Sequence, residues 1–254
     1  MLLNHSVTGS GPALLLLHSA VCDSRQWDAQ RSLANHRSLI TLDLRGYGDS
    51  PMPPEPYCDA KDVLDVLDHA GISEAAVVGS SAGGRVALQL ASNAQDRVTS
   101  LVLLCSSGPG VEPTPDLQAF GEQEEALLAA GDVDEATELN VRTWLGPEAD
   151  DAARAAVRGM QRHAFTVQLA TEDQPDGQEL DIDLAAITAR TTVVSGTHDL
   201  DFFGLLARHL AAGIPGAVHV ELDWAGHLPN LERPAETTAL IARATDPQTA
   251  TSRG

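Results

Sequence analysis

The apolar positions of this 254-residue chain fall into short continuous runs, which are separated by longer stretches with a helical period. A run of Val, Leu and Ile without strict alternation is typical of a parallel strand that is covered by helices on both faces. Six runs are predicted to be such strands: 13–18, 37–43, 74–80, 98–106, 190–196 and 217–223. The N-terminal residues predict one further edge strand, which Gly9 and Gly11 end.

Amphipathic segments lie between these runs. Within one of them, Val63, Val66 and Leu67 share a face, while acidic residues occupy the opposite face. Five helices are predicted in this way: 25–35, 58–70, 82–94, 201–212 and 234–245. The repetition of strand, helix and strand predicts an α/β fold with a doubly wound, mostly parallel sheet.

Residues 108–189 break this repetition, because they contain Pro-flanked helical stretches and no predicted strand. The pattern predicts a core built from residues 1–107 and 190–245, with 108–189 as a helical insertion. A passive buttress and a lid over a site are both compatible with this pattern. The polar residues 246–254 are predicted to be a disordered tail.

The charge balance narrows the choice of partners. The chain has 36 acidic residues against 16 Lys and Arg, a formal net charge of −20, and no basic stripe. We therefore expect neither nucleic acid nor an anionic membrane surface as a partner. No apolar run is long enough to span a bilayer, and no signal-peptide pattern begins the chain. Cys22, Cys58 and Cys105 form no CxxC pair, which predicts reduced thiols, a cytoplasmic location and no zinc site.

The stretch "VVGSSAGG" holds two adjacent serines between a predicted strand and a predicted helix. A chain that reverses within about three residues forces the central residue into a strained conformation, and the residues two positions away must be very small. Gly79 and Gly83 flank Ser81 in this way, whereas Val78 and Ala82 would flank Ser80. Ser81 is therefore the candidate nucleophile of a G-x-S-x-G elbow.

A serine nucleophile needs a base, and the base needs a carboxylate that fixes its tautomer. His227 follows the last predicted strand and is the predicted base. Asp199 follows the strand at 190–196 and is the predicted acid, with Asp201 as the competing choice. The oxyanion of the tetrahedral intermediate is expected to bind the backbone N–H groups of Ala82 and Ala20.

These motifs resemble those of the α/β-hydrolase superfamily, in particular small serine hydrolases such as enol-lactonases, esterases and cofactor-free perhydrolases. The resemblance covers about residues 2–245 and rests on "LLLLHSA", "DLRGYGDSP", "VVGSSAGG", "GTHDLD" and "AGHLPNLERP". It implies that Ser81, Asp199 and His227 form a triad and that 108–189 is a cap inserted after the sixth core strand. Ser19 departs from the family pattern, which usually has glycine after this histidine.

We expect a hydrolase that needs neither metal nor cofactor and that cleaves a small, mostly apolar ester or lactone as a monomer or homodimer. Carbon–carbon bond hydrolysis or lyase/cyclase chemistry is the alternative within the enzymes, and a ligand-binding receptor is the alternative outside them. Five residues are candidates for the wall of the substrate pocket: His18, Cys22, Trp27, Trp144 and Leu228. Ordinary core packing is the alternative for the two tryptophans and the leucine, and shaping of the oxyanion loop is the alternative for His18.

Overall fold

Seven strands form a single sheet in the computed structural model, which describes residues 2–171, 175 and 177–247. The strands are β1 (His5–Thr8), β2 (Ala13–Leu17), β3 (Ser38–Leu42), β4 (Ala75–Ser80), β5 (Val98–Leu104), β6 (Arg190–Gly196) and β7 (Val218–Leu222). Their order is β1-β3-β2-β4-β5-β6-β7, and only the β1–β3 pair is antiparallel among these strands. The predicted mostly parallel sheet is confirmed.

Helices cover the sheet and connect its strands. The α-helices are α1 (Asp59–His69), α2 (Ala82–Asn93), α3 (Pro115–Ala129), α4 (Val133–Trp144), α5 (Asp151–Leu169), α6 (Asp201–Gly213), α7 (Pro229–Glu232) and α8 (Pro234–Ala244). The predicted helix at 25–35 is present as the 3-10 helix Ser24–Asn35. No helix within the described residues is both long and apolar enough to cross a membrane.

The core is divided into two clusters, one on each face of the sheet. Side chains of a strand alternate between its faces, so Leu15 and Leu17 belong to one cluster and Leu14 and Leu16 to the other. The first cluster includes residues of α1, α2 and α6, and the second includes residues of α8 and of the 3-10 helix. Helices therefore cover both faces, as the apolar runs predict for a doubly wound sheet.

Two details differ from the sequence predictions. The strand predicted at 217–223 was expected to be buried on both faces, but β7 is an edge strand and Val218 is 57% exposed. The helical insertion was expected after the sixth core strand, but it follows the fifth strand, β5. Five strands precede it in the chain, because the segment before β2 contains only one strand, β1.

Three helices, α3 to α5, make up most of the insertion between β5 and β6. The predicted tail at 246–254 lies outside the described residues from position 248 onward. Loops that follow the carboxyl ends of β4, β5 and β6 meet at one edge of the sheet, because these strands are parallel neighbours. This edge carries the candidate site.

Candidate active site

Ser81 occupies the sharp turn between β4 and α2. Its φ of 51° and ψ of −116° lie outside the regions that a non-glycine residue normally adopts. Such strain costs about 1–3 kcal/mol and clusters at functional sites. The turn also brings α2 close to β2, since a Cβ atom at Gly83 would lie 2.5 Å from the carbonyl oxygens of Leu17 and His18. The glycine at this position is therefore a steric requirement of the turn.

Ser80 differs from Ser81 in conformation and environment. It is the last residue of β4 and is fully buried. Its Oγ accepts a hydrogen bond from Nε2 of Gln26 at 3.1 Å. Ser80 thus acts as a buried hydrogen-bonding support beside the strained serine.

His227 and Asp199 form a buried hydrogen-bonded pair. The Nδ1 atom of His227 lies 2.7 Å from Oδ2 of Asp199, and the two side chains are 2% and 0% exposed. Asp199 Oδ1 accepts the backbone N–H of Leu200 at 2.8 Å. Because the carboxylate accepts, the imidazole carries its proton on Nδ1 and has a lone pair on Nε2.

Asp201, the competing acid, lies elsewhere. It is an exposed residue at the first position of α6. Its backbone N–H donates to Oδ2 of Asp116 at 2.7 Å. The carboxylate that the structure brings to His227 is therefore that of Asp199.

The elbow and the acid–base pair lie at the same edge of the sheet. The N–H of Ser81 donates to the carbonyl oxygen of Leu104 at 3.0 Å. The next residue, Cys105, has its Sγ within 4.8 Å of both a carboxylate oxygen of Asp199 and a ring nitrogen of His227. Within the described part of the chain, Ser81 and His227 are not hydrogen-bonded to each other, and their pairing stays a prediction.

Cys105, Asp199 and His227 are also the one group of described residues whose sulfur, oxygen and nitrogen atoms could surround a metal ion. Burial raises the pKa of the Cys105 thiol far above its ordinary value, and the negative charge of Asp199 adds to this effect. A metal ligand must be a thiolate, and this environment disfavours one. The donor chemistry suits an acid–base pair better than a metal centre.

The two predicted oxyanion donors, the N–H groups of Ala20 and Ala82, differ from their neighbours in having no hydrogen-bond acceptor among the described residues. In the loop after β2, Val21 N–H donates to Ser19 Oγ at 3.2 Å, and Cys22 N–H donates to Ser19 O at 3.0 Å. The hydrogen bonds of the described residues include none from the N–H of Ala20 or Ala82. Both N–H groups thus lack a partner among the described residues, as the oxyanion prediction requires, and their role as oxyanion donors stays a prediction.

The five candidate pocket residues fall into different environments. Trp144 lies against His227, and the centroids of the two rings are 4.6 Å apart. The carbonyl oxygen of Trp144 also accepts the backbone N–H of His227 at 3.1 Å. Leu228 follows His227 directly and is fully buried. Trp27 is wrong as a pocket residue, because it packs with Leu14 and Leu16 in the cluster on the other face of the sheet.

His18 supports the loop rather than offering an acid or base. Its Nδ1–H donates to the carbonyl oxygen of Ser19 at 2.8 Å, and its Nε2 accepts the N–H of Leu44 at 2.9 Å. Burial lowers the pKa of His18, which keeps the ring neutral. Cys22 is fully buried, and burial raises the pKa of its thiol well above the usual range. Neither side chain therefore competes with Ser81 as a reactive group.

Three residues of this site were not predicted, although Glu232 lies within the motif "AGHLPNLERP". The ring of Phe203 lies 4.2 Å from that of His227, and the ring of Phe120 lies 4.7 Å from that of Trp144. Glu232 is buried and accepts the N–H groups of the residues on either side of His227. The aromatic contacts join separate elements, so only a three-dimensional structure could show them.

Comparison with known proteins gives a consistent assignment. The sequence profile of the Alpha/beta hydrolase family matches residues 14–240. A putative carbamate hydrolase RutD from Klebsiella pneumoniae (strain 342) is 31% identical, with 81% of this chain and 80% of the relative aligned. A hydrolase from Pseudomonas aeruginosa PA01 has a TM-score of 0.77 and 30% identity, with 94% of this chain and 92% of that chain covered.

An enol-lactonase from Burkholderia xenovorans LB400 has a TM-score of 0.78 and 25% identity, with 95% of each chain covered. The family profile spans nearly all of the described chain. The chain is a hydrolase and belongs to the alpha/beta hydrolase family.

Proposed function

We propose that this hydrolase cleaves small, mostly apolar carboxylic esters or lactones through Ser81, His227 and Asp199. The observation that carries the proposal is the buried hydrogen bond between His227 and Asp199, at the sheet edge where Ser81 occupies a strained turn. A lone pair on Nε2 of His227 is what a serine nucleophile needs from its base. The enol-lactonase among the similar structures supports the choice of substrate class.

In the proposed reaction, Ser81 Oγ attacks the substrate carbonyl while His227 Nε2 takes its proton. The negative oxygen of the tetrahedral intermediate binds the N–H groups of Ala20 and Ala82. His227 then protonates the leaving alcohol, and an acyl group stays on Ser81. Water hydrolyses this acyl-enzyme with His227 as the base, and Asp199 stabilises the imidazolium in both halves.

The insertion at 108–189 is proposed as a lid over this site. Its α4 ends at Trp144, whose ring and carbonyl oxygen both contact His227, and its α3 places Phe120 against Trp144. Aromatic rings against the base exclude water and favour an apolar acyl or alkyl group. The aromatic residues of the proposed lid therefore support the choice of an apolar substrate.

Carbamates are a second candidate substrate class. The relatives named putative carbamate hydrolase align with most of this chain at 28–31% identity. Attack on a carbamate carbonyl needs the same nucleophile, base and oxyanion donors as attack on an ester. The two classes differ in the group that flanks the carbonyl, so hydrolysis of one substrate from each class separates them.

The experiment measures burst hydrolysis of p-nitrophenyl butyrate and of a p-nitrophenyl carbamate by wild type and by Ser81→Ala. We expect a burst with the ester in wild type and a loss of about 10⁴-fold or more in the variant, since the residue that forms the acyl-enzyme is removed. A fluorophosphonate probe should label Ser81 and not Ser80, as determined by mass spectrometry of the peptide.

Equal inertness of wild type and variant, together with an unlabelled Ser81, would contradict the proposal and favour a ligand-binding role for the pocket. A burst with the carbamate alone would move the substrate class to carbamates and keep the mechanism.

A further inference from the structure

One uncharged side chain connects three segments that carry proposed catalytic groups. Gln26 lies in the 3-10 helix Ser24–Asn35 and is fully buried. Its Oε1 accepts the backbone N–H of Ser19 at 2.8 Å. Its Nε2 donates to Ser80 Oγ and to Asn230 Oδ1, both at 3.1 Å. We call these four residues the Gln26 network.

Each partner of Gln26 is close in sequence to a proposed catalytic group. Ser19 precedes Ala20, Ser80 precedes Ser81, and Asn230 follows His227 by three residues. Asn230 also returns a bond, since its Nδ2 donates to the backbone oxygen of Gln26 at 3.0 Å. A single planar amide thus bonds to the oxyanion loop, the elbow and the histidine loop.

The bonds around Ser19 determine which backbone donor the oxyanion loop presents. The N–H of Ser19 is occupied by Gln26, and the N–H groups of Val21 and Cys22 are occupied by Ser19 itself. Ala20 is the residue of this loop whose N–H has no acceptor among the described residues. The direction of that N–H therefore depends on where Gln26 holds Ser19.

We propose that Gln26 is a positioning residue, which holds the Ala20 N–H at a fixed place relative to Ser81. This proposal rests on the proposed function, because it assigns a purpose to the same oxyanion donors. All three hydrogen-bonding groups of the Gln26 amide are satisfied in a buried environment, where an orphaned partner is costly. A displacement of about 1 Å at a catalytic group can cost about 10²-fold in rate.

The test compares Gln26→Met with Gln30→Met, a matched control on the same 3-10 helix. Gln30 is also fully buried and bonds to Asn230 and to α8, but it has no hydrogen bond to Ser19 or Ser80. Both variants lose buried hydrogen bonds of similar number, so a purely structural effect acts on both. Thermal unfolding of each variant measures that shared effect.

Three readouts follow on each variant: kcat and KM with p-nitrophenyl butyrate, the Ki of an alkyl trifluoromethyl ketone, and hydrogen exchange of the peptide that contains Ala20. Ser81 Oγ adds to the carbonyl carbon of the ketone, and the serine proton passes to His227. The resulting oxyanion occupies the oxyanion hole. The Ki of the ketone therefore measures how well the Ala20 and Ala82 N–H groups bind an oxyanion, in a reaction that has no leaving group.

For Gln26→Met we expect kcat to fall about 30- to 100-fold with KM within about threefold, and the ketone Ki to rise in proportion. Exchange at the 19–22 loop should accelerate in this variant alone. Gln30→Met should keep kcat and Ki within about threefold of wild type. Equal losses in the two variants, or a loss in KM alone, would overturn the positioning role.

Ser80→Ala keeps the proposal testable where Gln26→Met does not fold. It removes one of the Gln26 bonds and should lower kcat and weaken the ketone about three- to tenfold, while wild-type values of both would contradict the proposal. If wild type itself shows no burst and no labelling of Ser81, the proposed function fails. The exchange comparison then still decides whether Gln26 holds the loop.

Discussion

The Nδ1 atom of His227 lies 2.7 Å from Oδ2 of Asp199, and both side chains are almost completely buried. Asp199 is held in its turn by the Leu200 N–H, which donates to its other oxygen. The acceptor-only carboxylate fixes one tautomer of the imidazole, because only an Nδ1–H can donate to it. Replacing that carboxylate should therefore change the tautomer more than the shape of the site.

Asp199→Asn is expected to lower kcat by about 10⁴-fold with little change in fold, since the amide favours the wrong tautomer of His227. Asp201→Asn is the matched control, because Asp201 is exposed and contacts Asp116 rather than the histidine. It should keep kcat within about twofold. Steady-state hydrolysis of p-nitrophenyl butyrate measures both. Full activity in Asp199→Asn would remove this residue from the mechanism.

The positions of Ser81, Asp199 and His227 could be predicted from the sequence because each is tied to a local pattern. Two glycines mark the elbow, and the other two residues follow predicted strands at fixed places in the alternation. Parallel strands bring such positions to one edge without further information. Their placement at one edge of the sheet is a consequence of topology, which apolar runs specify well.

The prediction of a helical insertion at 108–189 gave no bounds for α4, and part of the inward face of this helix is polar. Thr137 and Asn140 are buried there, and Asn140 accepts the indole N–H of Trp144 at 2.8 Å. A buried polar residue that is satisfied by hydrogen bonds interrupts the apolar stripe on which helix prediction depends. Trp27 was misplaced for a different reason: its pattern predicts a helix at 25–35, but it does not tell which face of the sheet that helix covers.

Trp144 is expected to control the environment of the base. Its ring packs on His227, Phe120 and Phe203, and it is 6% exposed. Trp144→Ala should destabilise the fold by about 3–5 kcal/mol and raise KM for apolar esters, because it opens a cavity beside the imidazole. Trp144→Phe keeps an aromatic ring and should retain most of the activity.

Trp224→Ala is the control for this prediction, since Trp224 is only half-buried and stacks under Arg233 at 4.7 Å. It should cost about 1 kcal/mol and leave KM unchanged. Urea unfolding and ester hydrolysis measure the two effects separately. A KM for Trp144→Ala equal to that of wild type would show that the ring does not line the substrate site.

Glu232 is expected to hold the loop of His227. Its carboxylate accepts the N–H of Gly226 at 3.0 Å and that of Leu228 at 3.4 Å, so it bonds on both sides of the histidine. Burial raises the pKa of Glu232, while these backbone donors lower it in part. Glu232→Gln places an amide N–H against backbone donors, and kcat should fall about tenfold.

Glu236→Gln is the matched variant, because Glu236 is exposed and pairs with Arg233 at the surface. Surface ion pairs of this kind contribute little to the free energy of unfolding, so the stability and kcat of Glu236→Gln should stay near those of wild type. Thermal unfolding and steady-state kinetics provide the comparison. If the two glutamine variants behaved alike, Glu232 would have no special role in the loop.

Asp59 should make stability depend on pH. It is the first residue of α1, and burial raises its pKa to about 6, with the negative charge of Asp62 as a smaller cause. Its Oδ1 is buried and has no hydrogen-bond partner among the described residues. Below the unfolded-state pKa, both states are protonated and burial carries no charge penalty.

As the pH rises from about 4 to above 6, the unfolded state releases this proton before the folded state does, so the free energy of unfolding falls. The penalty is complete once the pH exceeds the folded pKa. Asp59→Asn stays neutral at every pH and should therefore gain stability over wild type, by about 1 kcal/mol more at pH 8 than at pH 5.

Urea unfolding of both proteins at several pH values measures this difference. Asp65→Asn, an exposed substitution on the same helix, should show no such gain with pH. A constant difference between Asp59→Asn and wild type from pH 5 to pH 8 would mean that the Asp59 carboxyl titrates alike in the folded and unfolded chains. Burial of the Asp59 carboxyl argues against that result, since burial disfavours the ionised form more than Arg45 favours it.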